Sequence, residues 1–248
     1  MGEFKLRRMG VVMESEPGSP QEVEGVLNPA AVRGPDGELY LFPRLVARGN
    51  YSRIGIARVR FNEAGDPTGV ERLGIALEPE ANYELRSDGS GGCEDPRITF
   101  VESLQRYMMT YTAFSPQGPR IALAMSKDLF HWQRLGLAAF EPYDGIDFVH
   151  VDNKDASVFP VAVPNHAGKM QLAILHRPLF PGTRPDETAR PSPGWSTLIT
   201  RASGFPTARW PWRVLTRSTS VCSIRMTGWP PRLHPGSDSR LVAAPRPS

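Results

Sequence analysis

The sequence predicts an all-β fold built of repeated, blade-like sheets. Three observations carry that expectation. Short apolar runs of strand length alternate with turn signals from Glu38 to Leu175. No window sustains a helical period. A unit recurs, opening at Asn28-Pro29, Asp95-Pro96 and Asp155-Ala156, with starts 67 and 60 residues apart. Units of three or four strands repeat at about that period in propeller blades.

In the first unit, the turn Gly34-Pro35-Asp36-Gly37 precedes the apolar strand Glu38–Phe42, and a further strand follows at Arg53–Val59. In the second, Tyr107–Tyr111 leads through Ser115-Pro116-Gln117-Gly118-Pro119 into Arg120–Met125. Lys127-Asp128-Leu129-Phe130-His131-Trp132 then reads either as a blade connection of sugar-active propellers or as a simple turn with a packed Trp. The third unit has the turn Asn165-His166-Ala167-Gly168 before Leu172–Leu175. A blade cannot bury both of its faces alone, so each unit is expected to pack on its neighbours. Three blades do not close a ring, and nothing after Leu175 reads as the missing strands.

The chain has 248 residues and a formal charge of +3, but the average hides a break. Residues 190–248 hold nine Arg, no Lys and one acidic residue, Asp238, with nine Pro, nine Ser and four of the five Trp. Residues 1–189 therefore carry a net charge of −5. The basic character belongs to the tail, which argues against a nucleic-acid partner for the body. Cys93 and Cys222 make neither a metal spacing nor a disulfide framework. No run approaches the length of a membrane span, and the charged start lacks an apolar signal region. The expectation is a cytoplasmic protein with no membrane and no nucleic-acid partner; homo-oligomerisation is left open.

Gly91-Gly92-Cys93-Glu94-Asp95-Pro96-Arg97-Ile98 resembles the E-D-P-R segment of glycoside hydrolase family 130. Asn28-Pro29-Ala30 fits the opening of that family's first blade, and Ser52-Arg53-Ile54-Gly55-Ile56-Ala57 fits its S-R-I-G-L-A strand. Asn153-Lys154-Asp155-Ala156 with Phe159-Pro160 fits K-D-A-x-x-F-P, and Leu175-His176-Arg177-Pro178 fits L-H-R-P. The motifs stand in the family order over roughly residues 10–188. The resemblance implies a five-bladed β-propeller, of which residues 1–189 supply about the first three blades, followed by an aberrant tail at 190–248. It also implies an inverting β-mannoside phosphorylase, with β-1,4-linked mannosyl sugars the expected substrate class, or else one of the family's hydrolases. Inorganic phosphate is then a co-substrate, and neither a metal nor an organic cofactor is expected. From outside the enzymes, a non-catalytic glycan-binding or vestigial protein stands as the alternative.

The chemistry agrees with the resemblance. Phosphorolysis needs an acid for the leaving oxygen and a cationic pocket for phosphate, which replaces the activated water of an inverting hydrolase. Asp95 stands at the family's proton-donor position, from which the proton reaches the leaving oxygen through a hydroxyl of the bound mannosyl residue. An Asp-Pro pair taken alone is more often a turn initiator. Pro96 has a fixed φ and no N–H to compete for the carboxylate. Glu94 reads as a ligand or orienting group rather than the acid. Asn28, Arg53 and Arg97 are candidate sugar contacts; Asp155 either binds a sugar hydroxyl or caps a strand. Lys154 and Arg177 are phosphate candidates or else surface charges, and His176 either donates to phosphate or packs in its strand. Gly89-Ser90-Gly91-Gly92 lacks the helix start of a phosphate loop and reads as a flexible loop at the site's rim.

The family continues after the Arg177 region with a strand resembling H-E-S-I-W-I-S-Y. Here Ile199-Thr200-Arg201-Ala202-Ser203-Gly204-Phe205-Pro206-Thr207 stands instead. With permitted codons, regrouping that stretch one base earlier translates as His-His-Glu-Ser-Ile-Trp-Ile-Ser-Tyr. The tail is therefore read as an out-of-frame translation beginning between about Thr188 and Ser196. A truncated propeller of this kind is expected to show little turnover. The competing reading is a basic, disordered tail with an anionic partner. Its proline content suits disorder, whereas four Trp do not.

Overall fold

A computed structural model of the chain describes residues 7–140, 147–165 and 168–179, together with the backbone of residues 212–215 and 222–226. His166 and Ala167 of the third turn, and the 188–207 segment on which the frame argument rests, lie outside the described residues. Every helix or strand among the described residues is a strand.

The first blade is an antiparallel run of β1 (Gly25–Arg33), β2 (Leu39–Ala47), β3 (Tyr51–Phe61) and β4 (Pro67–Leu77). The second repeats the order with β5 (Gly91–Val101), β6 (Arg106–Ser115), β7 (Gly118–Ser126) and β8 (Gln133–Leu137). The third begins with β9 (Asp152–Val158), the short β10 (Val163–Pro164) and β11 (Met170–Leu179). Two strands from the C-terminal segment, β12 (Trp212–Leu215) and β13 (Cys222–Met226), extend this sheet in the order β9-β11-β13-β12. The fourth strand of the first blade, β4, goes beyond the sequence expectation. Three register shifts against β3 and a positive φ at Gly74 erase the two-residue alternation that marks a strand.

Two apolar cores lie where the blades face each other. One gathers Phe42, Ile54, Ile56, Met109, Tyr111, Ala122, Ala124 and Leu129 between the first and second blades. The other gathers Met108, Ile121, Ala156, Val158, Leu172 and Ile174 between the second and third. Successive residues of a strand point to opposite faces. On β6, Met109 and Tyr111 therefore enter one core while Met108 enters the other. The middle blade is buried on both faces because it has a neighbour on each side.

The Lys127–Trp132 run is the β7–β8 turn with a packed Trp. Ser126 Oγ accepts the amides of Asp128 and Leu129, and Trp132 Nε1 donates to the Leu129 carbonyl at 2.8 Å. The Trp132 ring meets Phe42 edge-on at 5.8 Å, so this turn also clasps the first blade.

Gly91 and Gly92 correct the flexible-rim expectation. Both are buried and open β5, where Tyr51 and Ser52 of β3 run parallel to them. A Cβ on Gly92 would sit 2.1 Å from the Ser52 carbonyl oxygen, and one on Gly91 2.3 Å from that of Phe114. Glycine is required here for close approach of two backbones. Of the four, Gly89 alone is exposed, and Ser90 is half-buried.

Candidate active site

The first strand of each blade carries the same irregularity. On β1, Asn28-Pro29 stand opposite a single β2 residue; on β5, Asp95-Pro96 do so against β6; on β9, Asp155-Ala156 do so against β11. These are two-for-one β-bulges. Their first residues have φ of 46°, 48° and 55°. Asn and Asp tolerate this left-handed region better than other side chains with a Cβ. Proline follows naturally, since the bulge removes a ladder position where its missing N–H would be felt. The Asx-x openings read from the sequence are thus one structural device used three times, and β5 packs against both β1 and β9.

The bulge on β5 has a chemical consequence. In a regular strand Glu94 and Asp95 would point to opposite faces. Here both reach the guanidinium of Arg44 on β2. Arg44 Nη2 donates to Glu94 Oε1 at 2.9 Å, and Nη1 lies 3.4 Å from Asp95 Oδ1. Asn28 Nδ2 donates to the same Asp95 oxygen at 2.9 Å. The remaining donors of Arg44 go to Ser52 Oγ at 2.9 Å and Asn50 Oδ1 at 2.7 Å. Both carboxylates are buried. Burial pushes the Glu94 carboxyl above its ordinary range; Arg44 opposes this, the Asp95 charge adds to it, and Lys154 and Asn50 oppose it.

The structure therefore brings Asn28, Glu94 and Asp95 together, with the charge of Lys154 felt at Glu94. Lys154 stands opposite Arg177 in the β9–β11 register. Arg177 is paired with Asp155, its Nε donating to Oδ2 at 2.8 Å and Nη2 reaching the same oxygen. His176 is buried, its Nδ1 2.9 Å from the Asn153 amide nitrogen and its ring stacked on Phe140 at 4.2 Å. Arg53 is gripped by Glu78 through Nε and Nη2 and lies over the Tyr51 ring. Arg97 donates to the carbonyl of Pro96 beside it.

Arg44 was missed by the sequence reading. It occupies in the first blade the register position that Arg177 holds in the third: Arg44 faces Leu27 just before one bulge, and Arg177 faces Lys154 just before the other. Aligning the units on their bulges finds it. The unequal loops between strands hide it in the linear sequence.

Antiparallel sheets packed face to face as repeated blades, each opening on a bulged first strand, are the architecture of the β-propeller class. The model of glycoside hydrolase family 130, described as beta-1,4-mannooligosaccharide phosphorylase, matches residues 5–180. The chain belongs to that family, whose fold is the five-bladed β-propeller. A 1,2-beta-oligomannan phosphorylase from Thermoanaerobacter sp. (strain X514) is 33% identical over 182 residues, covering 70% of this chain and 54% of that protein. The crystal structure of a glycosyl hydrolase from Bacteroides ovatus superposes with a TM-score of 0.50 at 22% identity, over 71% of this chain and 56% of the other. The chain thus spans about half the length of the relatives it matches.

Proposed function

We propose that the site is built for phosphorolysis of a β-mannoside with inversion, with low turnover in this chain, which spans about half the length of its relatives. A phosphate oxygen attacks the anomeric carbon, the glycosidic C–O bond breaks, and the proton of Asp95 passes through a mannosyl hydroxyl to the leaving oxygen. The products are α-mannose 1-phosphate and the shortened sugar. Family membership supports the reaction class. The observation that carries the assignment of roles is the grip of Asn28 and Arg44 on Asp95, on the bulge that gathers Glu94 beside it. The positive charge of Lys154, felt at Glu94, supports an anionic co-substrate on the β9 side. Phosphate is the co-substrate of this proposal, with a β-mannoside or mannooligosaccharide as partner.

The test is release of mannose 1-phosphate from the purified chain supplied with phosphate and either β-1,2- or β-1,4-mannobiose. Both linkages are needed because the matched family description and the curated relative name different ones. Phosphate-dependent product that disappears in Asp95→Asn bears the proposal out. Free mannose formed without phosphate indicates a hydrolase. Binding of mannobiose in a calorimeter without turnover indicates a glycan-binding protein.

A further inference from the structure

Among the described residues, both side-chain hydrogen bonds to Asp95 fall on Oδ1, one from Asn28 and one from Arg44, and none falls on Oδ2. An oxygen that accepts two N–H donors is a poor place for a proton, so a proton on this carboxyl belongs on the other oxygen. The fork that makes Oδ1 the anchored atom is itself held by three further partners. Arg44 Nε is fixed by Ser52, and Nη2 is shared between Asn50 and Glu94. Ser52 is fully buried and stands in the parallel seam against Gly92, two residues before Glu94. Asn50 is held at φ 60° in the β2–β3 hairpin. The seam between the blades thus sets the guanidinium, and the guanidinium sets both carboxylates.

We propose that Arg44 is the positioning residue of the acid site, binding Glu94 and Asp95 Oδ1 in one rigid fork so that Oδ2 of Asp95 is the atom that delivers the proton. This rests on the reading of Asp95 as the acid. Arg44 neither gives nor takes the proton. It prevents Glu94 from taking the place of Asp95 and fixes the direction in which Oδ2 points. Lysine would keep the charge but lose the planar, multi-point fork. The groups facing Glu94 are Arg44 from β2, Asp95 from its own strand and Lys154 from β9, with Asn50 as a neutral donor. Of these cations, Arg44 forms a direct ion pair with Glu94, Nη2 to Oε1 at 2.9 Å.

The experiment uses two variants of the full chain and two readouts. The first is titration of the Glu94 carboxyl by carbon NMR. In Arg44→Gln its midpoint moves to higher pH by about one unit, while in Arg44→Lys it stays near the wild-type value. The second is kcat for phosphorolysis, which falls by about a hundredfold in both variants, because lysine does not restore the fork. An unmoved Glu94 midpoint in Arg44→Gln, or wild-type kcat in Arg44→Lys, overturns the proposal. If the wild-type chain makes no mannose 1-phosphate, the functional reading fails, and the Glu94 titration alone decides for or against the grip of Arg44. Should Arg44→Gln not fold, a Glu94 midpoint in Arg44→Lys equal to that of the free amino acid also overturns it.

Discussion

Asn28, Asp95 and Asp155 hold the same left-handed backbone at the same point of three blades, and at Asn28 that conformation coincides with a contact to the acid. Two substitutions separate the backbone requirement from the hydrogen bond. Asn28→Gly keeps the positive φ and loses the amide donor, while Asn28→Ala loses both. Alanine is expected to be less stable than glycine by about 1 kcal/mol in urea unfolding, the ordinary cost of a Cβ in that region. Both should lose the same activity, since both free Oδ1 of Asp95 from one of its two donors. Equal stabilities would refute the strain. The Asx-x pairs were legible in the sequence because a bulge that needs φ near 50° selects Asn or Asp and tolerates proline behind it. Arg44 was not legible. Its partners, Asn50, Ser52, Glu94 and Asp95, come from a hairpin, a seam and the next blade, and only the folded register brings them together.

At the scale of elements, the segment between β4 and β5 depends on a buried carboxylate. Glu84 is fully buried and accepts hydrogen bonds from Arg134 Nε on β8 at 2.9 Å and the Tyr111 hydroxyl on β6 at 2.5 Å. It also accepts the backbone amides of Glu80 and Ala81. Burial works to raise its carboxyl, but Arg134, the backbone amides and Tyr111 outweigh that and hold it below its ordinary value of 4.5. A carboxyl lowered on folding contributes stability that is complete above that ordinary value and is lost as pH falls through the lower folded one. Wild-type stability should therefore decline below about pH 4.5, and Glu84→Gln should flatten the decline. At neutral pH the same variant leaves Arg134 without its buried partner and should cost about 3 kcal/mol in chemical denaturation. A variant as acid-labile as the wild type would show that the carboxylate is not the cause.

The seam next to this segment is less forgiving. Gly92→Ala places a methyl against the Ser52 carbonyl at a φ of 113°, and the two strands must separate. A loss of at least about 3 kcal/mol is expected, with the Glu94–Arg44 contact weakened as well. Neither feature stands out in the sequence. Glu84 lies among the charged residues of a polar stretch, and the Gly91-Gly92 pair has the composition of a loop. Strands such as β6 were plain by contrast, because a strand buried on both faces must be apolar over nearly its whole length.

At the scale of the whole chain, the two cores make stability a matter of neighbours. β6 and β7 contribute to both cores, whereas β4 pairs only with β3, at the outer edge of its sheet. The second and third blades are tied further by Arg120 of β7, which donates to Asp152 of β9 at 2.8 Å, and by the Thr110 hydroxyl on the Ala156 carbonyl at 2.5 Å. Each of these bonds joins the middle blade to the strand that carries Lys154 and Asp155. Opening the amides of β6 or β7 requires both cores to be breached, while those of β4 open by fraying from one edge. Native-state hydrogen exchange should therefore find the β6 and β7 ladder amides exchanging roughly a hundredfold more slowly than those of β4. Met108→Ala and Met109→Ala extend the test, since these adjacent residues serve different cores. Each is expected to cost about 2–4 kcal/mol. Met108→Ala should speed exchange first in β9 and β11, and Met109→Ala first in β2 and β3. If either variant loosened all three blades equally, the blades would form a single cooperative unit, and the nearest-neighbour account of how the inner strands are held in place would have to be abandoned.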